Sequence, residues 1–463
     1  MNKIGRWISV GGALAVSALN LCGFSVSADS AIWDGSCDTD WYHNMKREFY
    51  IETPEELAGL ASLVNSGTTM EGKTIHLMSD MALNDTANYE NWLEEPPANV
   101  WTAIGTSDNP FYGTFDGNGF TVEGMYISET KSGDYGLFGY SKNASLSDVE
   151  IDCGYIMMDS DSDVGELSIG GICGKIAVST ISKCIYQGKT LMNISENYHY
   201  AGGICGYANG SVVQNCRNEG TIDLFGDANG YAGGICGNVM WDGLIDNCAN
   251  YGEIHGNDKS GGICGGFGGD GSEFYLLNSY NRANVASSSS TTETSAGGII
   301  GNVSNARTIY LRNVYNTGSV DTFYAGKLVG EDTWNHHDPC IVRCENCYYL
   351  ISDILSAIYS EDDTENTVAC TQSEMRIEEF AEKLGDVFVY VNGSYPKLLW
   401  EVYENGDVNQ DGSVNVADIV LLQKYLLASE TLSKTAATLA DMDEDKCVDG
   451  FDLAYLKRAV LAK

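Results

Sequence analysis

Short runs of β-branched and aromatic residues recur along most of the chain, broken each time by Gly and Asn. The run G-G-I-C-G begins at Gly170, Gly202, Gly233 and Gly261, and G-G-I-I-G begins at Gly297, at steps of 32, 31, 28 and 36 residues. Weaker copies flank them at Tyr135–Gly139 and Ala325–Gly330. A second motif follows each copy: Asn215-Cys216-Arg217-Asn218, Asn247-Cys248-Ala249-Asn250, Asn278-Ser279-Tyr280-Asn281 and Asn313-Val314-Tyr315-Asn316, with Asn346-Cys347 as a partial last copy. Long stretches of helical period do not accompany this repeat, and its residues are those of strands and turns. A period near thirty predicts stacked coils. Parallel stacking places equivalent residues above one another at about 4.8 Å, so repeated Asn side chains can hydrogen-bond up the stack. The expectation is a mainly β chain, a right-handed parallel β-helix of roughly ten coils between Trp101 and Trp400.

Helical periodicity is confined to the flanks. Thr53-Pro54-Glu55-Glu56 forms a capping box with Pro at the first helical position. Leu57, Leu60, Ala61 and Val64 then give one apolar face, and Asn65 and Gly67 can end the helix. Its expected role is to cover the open end of the solenoid within a cap region spanning residues 29–100. Near the C-terminus, Ile419, Leu422 and Leu426, and again Leu453, Leu456 and Val460, form i, i+3, i+7 stripes.

Cysteine changes the picture less than its count suggests. Cys173, Cys205, Cys236 and Cys264 share one repeat position, continued by Ile300 and Val329. Cys184, Cys216 and Cys248 share another, continued by Ser279 and Val314. A slot that accepts Cys, Ile, Val or Ser is small and buried, so reduced stacked thiols are expected rather than a disulfide framework. Cys340, Cys344 and Cys347 have the C-x3-C-x2-C spacing of an iron–sulfur site, but Cys347 already belongs to the repeat and such clusters belong to reducing cytosol.

The first residues read as a targeting segment over 1–28. Lys3 and Arg6 precede an apolar stretch from Trp7 to Phe24, and Val26-Ser27-Ala28 offers small residues for cleavage before Asp29. Secretion is expected, with no membrane insertion after cleavage. The formal net charge of -38 argues against nucleic acid and anionic membranes as partners and suits divalent cations.

The repeats resemble the GLUG-type repeats of bacterial surface proteins, some of which lie beside immunoglobulin-A-protease domains. The resemblance runs from about Phe49 to Trp400 and includes Trp101–Gly105, Phe111–Gly119, the Gly-Leu-Phe-Gly run at Gly136 and Tyr395–Leu398. The protease found beside such repeats needs a zinc-binding H-E-x-x-H helix. None of His43, His76, His199, His255, His336 and His337 lies in one.

The most specific chemistry lies in residues 405–463. Asp407–Asp418 reads as an EF-hand-like calcium loop: Asp407, Asn409, Asp411, Asn415 and Asp418 stand at positions 1, 3, 5, 9 and 12, and Ser413 at the carbonyl position 7. Gly412 sits where the chain must turn. At an offset of 34 residues, Asp441, Asp443, Asp445, Asp449 and Asp452 repeat the pattern, with Cys447 at position 7 and Lys446 in place of the glycine. No entering helix is read before the first loop, so each half is expected to be a loop and then a helix. Duplicated loop–helix units with Asp at position 12 resemble the type I dockerin, a small all-α module that binds cohesins of scaffoldins in cellulosomes. The resemblance implies two calcium ions, folding only when they are bound, and a cohesin contact through Val416, Ala417, Gln423 and Lys424 in one half and Gly450, Phe451, Lys457 and Arg458 in the other.

Two functions compete for the solenoid. One is a non-catalytic β-helix over 101–400 that binds glycan or a host surface and is anchored at the cell surface through a scaffoldin. The alternative is a dockerin-borne polysaccharide lyase or glycoside hydrolase, which needs paired carboxylates or calcium beside a base. Asp116 and the Asp159-Ser160-Asp161-Ser162-Asp163 loop are the candidates, and both are better explained as a repeat turn and a solvated loop. The non-catalytic reading is therefore preferred.

Overall fold

The computed structural model describes residues 31–463 except 161–164, 195–197, 227–228, 270, 289–293, 305–307, 333–339, 352–355, 359–365, 444 and 463. The expected leader over 1–28, most of the Asp159–Asp163 loop, His336 and His337 lie outside the described residues. The chain divides into two compact units, Met1–Val368 and Ala369–Lys463.

The first unit is a parallel β-solenoid. A representative coil runs through Tyr198–Gly202, Cys205–Asn209, Val212–Gln214, Arg217–Asn218 and Thr221–Phe225. Each strand pairs in parallel with its counterpart one repeat away, as Cys205 does with Cys173 and Cys236. Two of the sheets hold seven strands each, so about six complete turns form, fewer than the roughly ten expected from the repeat. The shortfall lies at the ends. Glu48–Ile51 already pairs in register with Thr74–Leu77, which pairs with Thr114–Asp116, but they add to only one face. Parallel strands thus begin in the region read from sequence as a cap. Towards the other end, Thr308–Asn316 pairs in parallel with Ile341–Leu350.

Strand alternation explains the core. Ile75, Phe115, Leu146, Ile181, Val213 and Ile245 succeed one another in register and are all buried, while their neighbours at i±1 face outward. The Gly-Gly pairs permit the tight corner between two faces. A Cβ on Gly203 would fall 2.3 Å from the Asn218 side chain, and one on Gly202 would fall 2.1 Å from the Cys205 carbonyl. The opposite corner is left-handed, with φ of 54° at Asn215, 57° at Asn247 and 47° at Asn278, a conformation Asn tolerates better than most residues.

The expected asparagine stack forms. The Asn218 amide donates to Asn250 (2.7 Å), Asn250 to Asn281 (2.8 Å) and Asn281 to Asn316 (2.9 Å), and all four are buried. Both cysteine positions also stack. Cys173, Cys205, Cys236 and Cys264 occupy consecutive rungs, followed by Ile300 and Val329. Cys184, Cys216 and Cys248 are buried free thiols, as are the four of the first column.

Helix α1 (Pro54–Asn65) carries the capping box read from the sequence: Glu56 N–H donates to Thr53 Oγ1, and the Glu56 carboxylate accepts from Thr53 N–H. Leu57, Leu60, Ala61 and Val64 are buried in the same core as the first rungs.

In the second unit, α2 (Glu378–Leu384) and an antiparallel pair, Phe388–Val389 with Lys397–Leu398, precede three helices. These are α3 (Val416–Leu426), α4 (Lys434–Ala440) and α5 (Gly450–Ala462). Helix α4 was not read from the sequence; it leads into the second loop, so that half is more than a loop and a helix. Ile419, Leu422, Leu426, Leu453, Leu456 and Val460 meet in one apolar cluster with Val408 and Val414. Among the described residues no helix is long and apolar enough to cross a membrane.

Candidate metal centre

The two loops are built alike from backbone donors. In the first, the buried Asp407 carboxylate accepts from Asp411 N–H (3.1 Å) and Gly412 N–H (2.9 Å). Asp418, also buried, accepts from Asn409 N–H (2.9 Å) and Asn415 N–H (2.8 Å), tying both ends of the loop to the start of α3. Asn415 caps α3 by accepting from Ala417 N–H at 2.8 Å. In the second loop, Asp441 accepts from Asp445 N–H (3.1 Å) and Lys446 N–H (2.9 Å), and buried Asp452 from Met442 N–H (2.8 Å) and Asp449 N–H (2.6 Å). Asp449 accepts from Phe451 N–H at the start of α5.

The turn position is left-handed in both, φ 89° at Gly412 and 69° at Lys446. The lysine adopts the strained conformation that the glycine adopts freely.

This donor set fits a hard divalent cation. Oxygen atoms of Asp441, Asp443 and Asp452 all lie within 4.8 Å of one another. Asp407, Asp418 and Asp452 are fully buried carboxylates, a costly arrangement unless a cation balances them. Asp443, in contrast, is exposed, and partial desolvation followed by repulsion from Asp445 raises its pKa. Calcium would be held by Asp407, Asn409, Asp411, Asn415, Asp418 and the Ser413 carbonyl in one loop. In the other it would be held by Asp441, Asp443, Asp445, Asp449, Asp452 and the Cys447 carbonyl.

Around the loops, Val416 (63 % exposed) and Phe451 (70 % exposed) open the outer faces of α3 and α5. Ala417, Lys424, Gly450, Lys457 and Arg458 are exposed with them, and Gln423 is half-buried. Tyr455, one turn beyond Phe451, is also exposed, with the Arg458 guanidinium 5.9 Å from its ring centre. The sequence reading did not single out Tyr455, although its i+4 spacing from Phe451 was visible.

The other candidates do not assemble. Asp116 is engaged by His76 Nδ1 at 3.3 Å, while His76 Nε2 meets Glu48 at 2.9 Å. Asp159 accepts from Asn193 at 2.9 Å. Cys347 is buried in the second cysteine column, and its hydrogen bond with Cys344 and its burial raise its pKa, keeping it a neutral thiol.

Residues 405–461 match the family described as the Dockerin type I domain. The chain therefore carries a type I dockerin domain at its C-terminal end, a calcium-binding, cohesin-binding module of cellulosome-type complexes. Among solved structures, one described as a putative immunoglobulin A1 protease from Bacteroides ovatus is 18% identical, with a TM-score of 0.39, covering 76% of this chain and 92% of that one. No curated protein matches the sequence.

Proposed function

We propose that this chain is a secreted component of a cellulosome-type complex. Its dockerin holds two calcium ions, one per loop, and docks on a scaffoldin cohesin, while the solenoid it carries binds glycan. The observation that supports this best is the pair of loop–helix halves, each anchored on buried carboxylates and each presenting an exposed outer helix face.

The two faces are not equivalent. Lys424 and Arg458 correspond, but Val416-Ala417 stands where the other half has Gly450-Phe451. A small apolar pair cannot fill the space of an exposed Phe, and buried aromatic anchors dominate interface energy. One docking orientation is therefore preferred, led by the Phe451 half. Calorimetric titration against a type I cohesin in calcium tests this. Phe451→Ala is expected to weaken binding by roughly 2 kcal/mol or more, and Ala417→Asp much less. Equal losses would mean that both orientations are used.

The lyase or hydrolase reading gains nothing from Asp116, whose carboxylate is taken up by His76.

A further inference from the structure

The outward face of the first rungs carries a trench of about 940 Å3, lined by segments of four successive rungs: residues 69–74, 112–114, 143–145 and 178–180. Thr74, Thr114, Ser145 and Thr180 line it in one column, each paired in register with the next. Parallel pairing spaces such hydroxyls at about 4.8 Å along the solenoid axis. Each of these residues is half-buried, and among the described residues none of the four hydroxyls bonds to another protein group.

The fold does not require hydroxyls at this position. Beyond the trench the same column continues as Val212, Leu244, Tyr275 and Tyr310. The run of small Thr/Ser side chains and the trench therefore coincide, and both end at the Thr180 rung.

The rim adds apolar surface. Tyr112 is half-buried on the wall, and Val178 is 66% exposed with φ of 50°. That corner is left-handed on neighbouring rungs, at Asn143, Gly210 and Trp241. Gly or Asn meets such a corner readily, whereas a β-branched residue there is strained.

The charge selects among ligands. Glu71 and Lys73 are the ionisable side chains of opposite sign that line the trench, on a chain of formal net charge -38. A polyanion is repelled, and a neutral polyhydroxylated polymer is not. We infer that this trench binds a neutral polysaccharide chain lying along the solenoid axis, its hydroxyls bonded to the Thr/Ser column and its C–H faces set against Tyr112 and Val178. The inference rests on the glycan-binding reading above and assigns the site.

The test uses the full chain in affinity electrophoresis through gels containing barley β-glucan, arabinoxylan or polygalacturonate, with calcium-dependent cohesin capture measured in parallel. The wild type is expected to be retarded by at least one neutral polymer and not by polygalacturonate. Thr74→Val/Thr114→Val/Thr180→Val removes hydroxyls while keeping shape, and Val212 shows that the column accepts valine. This variant is expected to bind at least about tenfold more weakly with cohesin capture unchanged, and Tyr112→Ala is expected to weaken binding independently. Undiminished binding by both variants would overturn the trench while leaving glycan binding to another surface. A wild type that prefers polygalacturonate would overturn the assignment of a neutral chain, and one retarded by none of the three polymers would overturn the glycan reading itself.

Discussion

Single residues here act through backbone geometry and burial. Lys446 holds a left-handed φ of 69° where the first loop has Gly412, a strain of roughly 1 kcal/mol. Lys446→Gly is therefore expected to raise calcium affinity at the second loop about fivefold, read by calorimetric calcium titration with the first loop unchanged. Asp134 illustrates burial. Desolvation raises its pKa to about 6, against the opposing pull of Lys175, which is itself paired with Glu166 at 2.9 Å. A carboxyl raised in the folded state favours folding most below its unfolded pKa, about 4, and that contribution is lost as pH climbs through about 6. Asp134→Asn is expected to remove a decline of about 2 to 3 kcal/mol between pH 4 and 7, seen as convergence of the variant and wild-type denaturation curves at low pH and divergence at neutral pH.

Elements were legible in the sequence to the degree that their signal was local and repeated. The asparagine stack, the thiol columns, the capping box of α1 and both acidic loops of the second unit all follow from side chains recurring at fixed offsets. The first rungs were less legible, because Glu48–Ile51 and Thr74–Leu77 pair in register without the G-G-I-C-G corner; that corner exists only where two faces must meet tightly. Helix α4 was missed because its seven residues, K-T-A-A-T-L-A, carry too short a stripe to register as periodic. The trench escaped because it arises from one column across rungs distant in sequence. The thiol columns give this scale its prediction. Cys173, Cys184, Cys216 and Cys236 are fully buried; desolvation chiefly raises the pKa values of the first three, and a hydrogen bond with Cys205 followed by desolvation raises that of Cys236, so they lack the thiolate that oxidation requires. Titration of the denatured secreted protein is expected to find Cys173, Cys184, Cys205, Cys216, Cys236, Cys248 and Cys264 reduced. Complete pairing would contradict their assignment as packing residues.

At the scale of the whole molecule, the two units draw on different sources of stability. The solenoid buries a continuous apolar core with its own hydrogen-bond ladders. The dockerin core is a small cluster around Val408, Val414, Leu422 and Leu456, and its buried carboxylates need a cation. Metal binding and folding are coupled in such modules. The most direct measurement is capture of the full-length chain on an immobilised type I cohesin, in calcium and after EGTA, with circular dichroism followed in the same samples. The account predicts capture in calcium, loss in EGTA and recovery on adding calcium back, while the β signal of the solenoid persists throughout. No capture in calcium, capture indifferent to EGTA, or loss of the solenoid's β signal together with capture would contradict it.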